Sequence, residues 1–149
     1  MESDALLPRW LSDPELLAHL PERINFDTFV EDLRARLGPI LPFKAELYHH
    51  FCPGIYVREY RAKAGTIDMS RVHLTVHPYA VTMGAVVVWT RDGQRDLLRA
   101  PYFGITTEGT QRVLLVVEDL VWMTFHANPD DCHDPDEIVR RVTAEVNPT

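Results

Sequence analysis

Cysteine is nearly absent. Cys52 and Cys132 are the two in the chain, eighty positions apart by number, so no disulfide framework is implied and a reducing cytoplasm is the expected setting. Long apolar runs are absent as well. None reaches the length that crosses a bilayer, and no contact with a membrane is expected. The first residues, Met1-Glu-Ser-Asp4, are acidic, where a secretory leader is basic and then apolar. Basic charge is in deficit: the formal net charge is −7, which argues against nucleic acid as a partner. The chain has no glycine-rich phosphate loop and no G-x-S-x-G nucleophile turn. It has no internal repeat and no low-complexity stretch.

What is present suits one globular domain. The 149 residues can bury a core, and 46% apolar with 25% charged residues is ordinary. The charge is unevenly placed. Residues 1–40 carry four Lys/Arg against eight Asp/Glu, residues 41–100 eight against five, and residues 101–149 three against nine. A basic middle between acidic flanks leaves room for a small anionic ligand. Singly, Arg58, Arg61, Lys63, Arg91, Arg95 and Arg99 read as solvated strand faces.

Periodicity divides the chain near residue 45. Asp13-Pro14-Glu15 starts a short helix, with aspartate as cap and proline at the first position. Phe26, Phe29, Val30, Leu33 and Leu37 recur at helical spacing, and Gly38 ends that helix. From Tyr48 the pattern shortens. Strands are expected over 54–61, 71–77, 85–90, 95–99, 112–117 and 120–126, with turns at Asp92-Gly93 and Glu118-Asp119 and a loop from Ala100-Pro101 to Glu108-Gly109. Six or seven short strands at this spacing mark a sandwich or barrel. Asp134-Pro135-Asp136-Glu137 opens a last helix over 135–146, whose valine side needs a surface to cover.

The chemistry-bearing residues concentrate between Gly65 and Gly84. Alternation puts Arg71, His73, Thr75 and His77 on one strand face, and Trp122, Thr124 and His126 on another. If both faces turn inward, three imidazoles and two guanidiniums, with Arg112, line one cavity. Three histidines with open positions suffice for Zn²⁺, Fe²⁺ or Mn²⁺, and arginines beside them suit a carboxylate or phosphate. A straight strand would hold His73 and His77 about 13 Å apart, too far to share a metal, and Leu74-Thr75-Val76 is a poor turn sequence. A bulge has to bring them together. His49-His50-x-Cys52 and Cys132-His133 lack the paired spacing of a second zinc site.

The same residues carry a resemblance to the cupins. Gly65 and Gly84 stand at the two glycines of the first cupin motif, Arg71 and His73 at its His-x-His pair, and His77 at its glutamate. Thr107-Glu108-Gly109 stands at the turn of the second motif and Arg112 at its histidine. The spacing is kept while the ligand identities are altered. The chain further resembles small cupin-like proteins of bacteriophages over residues 50–145, through Pro53-Gly54-Ile-Tyr-Val-Arg-Glu59, Ala64-Gly65-Thr66, His73-x-x-x-His77, Gly109-Thr-Gln-Arg112-Val113 and Trp122-x-Thr124-x-His126.

The resemblance implies a phage or prophage origin and a mainly β fold. That fold is a small antiparallel jelly-roll, cupin-like barrel over 46–149 with a C-terminal helix, preceded by an N-terminal helical extension over 1–45. It implies no reaction. The expected function is binding of a small polar or anionic ligand among Arg71, His73, His77, Arg112, Trp122, Thr124 and His126, with a metal held by His73, His77 and His126. The alternatives are a phage structural or host-interaction protein with a protein partner, and a metal-dependent cupin enzyme. Edge strands left by a small barrel lead to a homodimer, covered by the helices at 26–37 and 135–146.

Overall fold

β-branched and aromatic residues in short alternating runs pair into sheets rather than helices, and residues 46–128 do so almost without interruption. The computed structural model describes residues 25, 26, 28, 29, 45–92 and 94–144. In chain order the elements are β1 (Glu46–Cys52), β2 (Gly54–Ala62), β3 (Ile67–Met69), β4 (Val72–His73), β5 (His77–Thr90), β6 (Arg95–Arg99), β7 (Tyr102–Thr106), β8 (Arg112–Asn128), α1 (Pro135–Val142) and β9 (Thr143–Ala144). All pairings are antiparallel. Seven strands form one sheet in the order β1-β2-β8-β5-β6, with β3 beside β8 and β7 beside β5; β4 and β9 form a second, small sheet. The molecule is mainly β.

β5 and β8 organise the rest. Each is long enough to serve two halves of the sheet, and each bends at its middle. β8 takes β3 along Val113–Leu115 and β2 along Leu120–Asn128. Glu118-Asp119, which reads as a turn between two strands, is instead the bend of one. The cause is Gly84 across the ladder. It sits at φ 84°, and a Cβ there would come within 2.1 Å of the Asp119 carbonyl oxygen. The two backbones touch at that point, and the pairing of β5 with β8 shifts register on both sides of Gly84. The Asp119 carboxylate fixes the bend by accepting the Ala64 N–H at 2.9 Å.

Register sets which side chains face inward. Arg58 on β2 lies opposite Thr124 on β8, Thr124 opposite Tyr79 on β5, and Tyr79 opposite Gly104 on β7. One rung away, Tyr60, Trp122, Val81 and Tyr102 form the next row. The other half contributes Val86, Val88, Leu114 and Val116, and with Tyr79, Val81, Leu98, Leu120 and Trp122 these make one buried cluster. The interior is therefore apolar at one end and polar at the other, where Arg58, Thr124, His77 and His126 project.

Three further differences from the sequence reading have local causes. β1 and β7 are strands, though the sequence suggested no strand over 46–52 and a loop at 102–106; Phe103 and Ile105 point to solvent at 65% and 54% exposure, which hides the alternation. The strand expected over 71–77 is broken: β4 ends at His73 and β5 begins at His77, because the Leu74 N–H turns away to the Val142 carbonyl at 2.8 Å. The last helix ends at Val142, and Thr143–Ala144 pairs with Val72–His73.

α1 starts as read, with Asp134 accepting from the Asp136 and Glu137 N–H groups. It does not pack on the outside alone. Ile138 and Val142 are buried, and Val139 and Val142 line the interior cavity. Of the N-terminal helices, only residues 25, 26, 28 and 29 are described, and there the Phe29 N–H donates to the Asn25 carbonyl at 3.0 Å. Phe26 is buried and Phe29 packs on Trp89 of β5 with ring centroids 4.6 Å apart, so this turn covers its own sheet. The helix predicted at residue 13 and the remainder through residue 37 lie outside the described residues.

Candidate functional site

The break after β4 creates the site. His73 is held by its backbone: its N–H donates to the Thr110 carbonyl at 2.8 Å and its carbonyl accepts from Gly109 at 2.7 Å. Leu74-Thr75-Val76 then bends, and His77 turns back beside His73. The two ring centroids are 5.0 Å apart, where a straight strand would separate the residues by about 13 Å. His77 closes the bend itself, through Nδ1 to the Thr75 carbonyl at 3.1 Å. His126 arrives from β8, with its ring 4.4 Å from that of His77. Its Nε2 meets Thr124 Oγ1 at 2.8 Å.

Each imidazole leaves one buried nitrogen without a partner: His73 Nδ1, His77 Nε2 and His126 Nδ1. Burial is the largest influence on all three and pushes their pKa values down. His73 falls to about 4, helped by His77, Arg112 and Arg58. His126 falls to about 3, helped by His77, His73 and Arg58. All three are neutral at pH 7, the state a metal requires. The donor chemistry therefore fits a divalent metal, and the bonds to Thr75 and Thr124 are of the kind that orients ligating histidines. The arrangement does not fit. The rings pack on one another, and among the described residues no group of three or more His, Cys, Asp or Glu is disposed to hold a metal ion.

A cavity of about 240 Å³ opens beside the histidines. Its wall includes His73, His126, Thr124, Trp122, Arg71 and Arg112 of the residues expected from sequence; His77 stands behind it, buried at 3% exposure. Arg71 donates through Nε to Thr143 Oγ1 at 2.9 Å, which ties β9 to the cavity. Arg112 is 8% exposed. Its guanidinium lies over the Tyr79 ring at 4.9 Å and the Trp122 ring at 5.6 Å, and it donates to Thr106 Oγ1 at 3.1 Å. Burial presses on its charge, yet a guanidinium stays protonated. It has no carboxylate partner among the described residues.

Sequence reasoning missed several wall residues. Arg58, taken for a solvated face, lines the cavity with Tyr56, Tyr60 and Asp68. The signal was available: Tyr56, Arg58 and Tyr60 alternate on one face of β2, opposite His126, Thr124 and Trp122. Asp68 is the one carboxylate among the described wall residues, and it accepts from Tyr60 Oη at 3.0 Å. Burial and this carboxylate raise the Tyr60 pKa.

No protein-family model and no curated protein matches the chain. Solved structures do. The Clostridium difficile EutQ protein aligns at 12% identity over 60% of this chain and 71% of its own, with a TM-score of 0.50. A protein of Klebsiella pneumoniae described as having a double-stranded β-helix domain aligns at 16% identity over 60% of this chain and 81% of its own, with a TM-score of 0.51. The fold is the double-stranded β-helix. A cupin domain from Bordetella pertussis also aligns, at 18% identity over 56% of this chain and 93% of its own, with a TM-score of 0.46. In this double-stranded β-helix the histidines, the arginines and the cavity lie at the polar end of the interior.

Proposed function

We propose that the barrel cavity binds a small anionic ligand. The observation that supports this is the Arg112 guanidinium, buried at 8% exposure with no carboxylate partner among the described residues. Burying a charge without a counter-charge is costly. The faces of Tyr79 and Trp122 offset part of that cost through the ring quadrupoles, and an anion would offset the rest. Arg58 lines the same space, and its guanidinium has no hydrogen-bonded or ion-paired partner among the described residues. Arg71, His73, Trp122, Thr124 and His126 line the pocket with them, and His77 backs the wall. A charge-assisted hydrogen bond is worth about 1.5–3 kcal/mol, so loss of either arginine should weaken binding by about tenfold or more.

The test is thermal unfolding with acetate, phosphate and citrate at matched ionic strength against chloride. A rise in Tm that Arg112→Met and Arg58→Gln each reduce supports the reading. No rise with any of these anions sinks it.

A second reading is favoured by the three unpaired nitrogens. With their rings turned out of contact with one another, His73, His77 and His126 would hold Zn²⁺, Fe²⁺ or Mn²⁺, which would supply a Lewis acid beside the arginines. Calorimetric titration with Zn²⁺ decides it: one equivalent bound, and lost in His126→Ala, is required.

A further inference from the structure

The cavity is not uniformly polar, and its shape and charge say more about the occupant than that it is an anion. This inference rests on the anion reading above. Arg58 and Arg112 approach the cavity from different strands, and His73 lies within electrostatic reach of both guanidiniums. An anion seated there has both cations and the buried, unpaired His73 Nδ1 in its wall. The rest of the wall is a different medium. Tyr60 and Trp122 face each other across the β2–β8 ladder, Leu114 stands opposite Asp68 on β3, and Val139 and Val142 close the side formed by α1.

The charge balance calls for an anion. Arg58, Arg71 and Arg112 stand in the wall against one carboxylate, Asp68, so positive charge is in excess. Arg71 spends its Nε on Thr143 Oγ1, a neutral partner that leaves its charge in place. Volume selects the body. An apolar cavity of about 150 Å³ admits benzene, and this one measures about 240 Å³, enough for a ring and one small charged group.

We propose that the occupant is a carboxylate on a ring-sized apolar body, with its carboxylate at Arg58 and Arg112 near His73 and its body against Trp122, Tyr60, Leu114 and Val139. The carboxylate is recognised by two guanidiniums and the body by burial alone. Charge and apolar surface therefore contribute separately, and each can be removed without the other.

Calorimetric titration of the full chain with benzoate, acetate, inorganic phosphate and benzamide separates the two contributions. Benzoate should bind at least about tenfold more tightly than acetate, because acetate buries no ring. It should also bind at least about tenfold more tightly than benzamide, because benzamide carries no charge. Arg58→Gln should cost benzoate about tenfold and leave benzamide unchanged. Val139→Asn, at a half-buried position that tolerates a polar group, should weaken benzoate and leave acetate unchanged. Acetate or phosphate binding as tightly as benzoate overturns the ring-sized body and leaves the anion reading intact. Benzamide binding as tightly as benzoate overturns both. Absence of benzoate binding, with phosphate bound, overturns this proposal alone.

Discussion

At the scale of single residues, the three histidines set how stability responds to acid. His73 and His126 titrate near 4 and 3 in the folded chain, against an ordinary value of 6.5, and His77 is lowered too. The unfolded chain therefore takes up protons below about pH 6.5 that the folded chain refuses. Stability is fully present above that pH and falls as pH drops toward the folded values. The urea midpoint should decline between pH 7 and pH 4.5, and His126→Gln should flatten the decline. An unchanged slope in that variant would show that His126 is not buried neutral. Gly104 governs Arg112 at one remove. A Cβ there would lie 2.5 Å from Tyr79 Cζ, so Gly104→Ala must displace the ring that carries the guanidinium. The expected cost is about 1–3 kcal/mol, measured by urea unfolding, together with weaker anion binding.

Among elements, α1 is the one that joins fold and site. It is eight residues long, too short to be stable alone, and it is held from both ends. Asp134 caps its start. The Asn128 side chain spans the loop before it, accepting from Cys132 N and donating to the Cys132 carbonyl. Thr143 Oγ1 donates to the Val139 carbonyl at its end. Asp134→Ala should cost about 1 kcal/mol and speed amide exchange over Ile138–Val142. Exchange at the native rate there would mean that the cap is dispensable. The cap was legible in the sequence because its signals are local: an acid, a proline and a glutamate within four residues. The strands over Gly54–Arg61, Ala85–Thr90 and Arg95–Arg99 were legible for the same reason. The bend between His73 and His77 was not. Leu74-Thr75-Val76 has no turn chemistry, and the hydrogen bond that forces the bend comes from Val142, far along the chain. Arg58 was overlooked because one charged residue in a strand is more often exposed than inward; only its register against Thr124 reveals it.

On the scale of the molecule, the two outer faces of the barrel differ. The face that carries Trp89, Val113 and Leu115 is buried, and Phe29 lies against it. Phe29 is therefore engaged within its own chain, while most of the helix expected over 26–37 lies outside the described residues. The opposite face presents Phe103 and Ile105 on β7, beside Ala80 and Pro78 on β5, and both large side chains are more than half exposed. Adjoining apolar groups of this kind mark contact surfaces. A second copy meeting this face is the expected arrangement, C₂ symmetry being the commonest. Sedimentation at high concentration should show a dimer, and Phe103→Glu should abolish it. A 17.1 kDa species in the parent chain at every concentration would exclude self-association.

The bent β8 has a consequence for how the chain is made. β2, β3 and β5 all pair with it, and it is the last long strand to leave the ribosome. Until Arg112–Asn128 has emerged, β2 and β3 lack their shared partner, and the inward faces of Tyr60, Val81 and Val86 stay open to water. Local hairpins such as β5–β6 can form earlier, but the barrel cannot close piece by piece during translation. Nascent chains stalled before residue 112 should be cut by protease along β2 and β5, whereas chains long enough to release Asn128 should resist. Protection appearing before β8 emerges would mean that the first strands find a partner of their own.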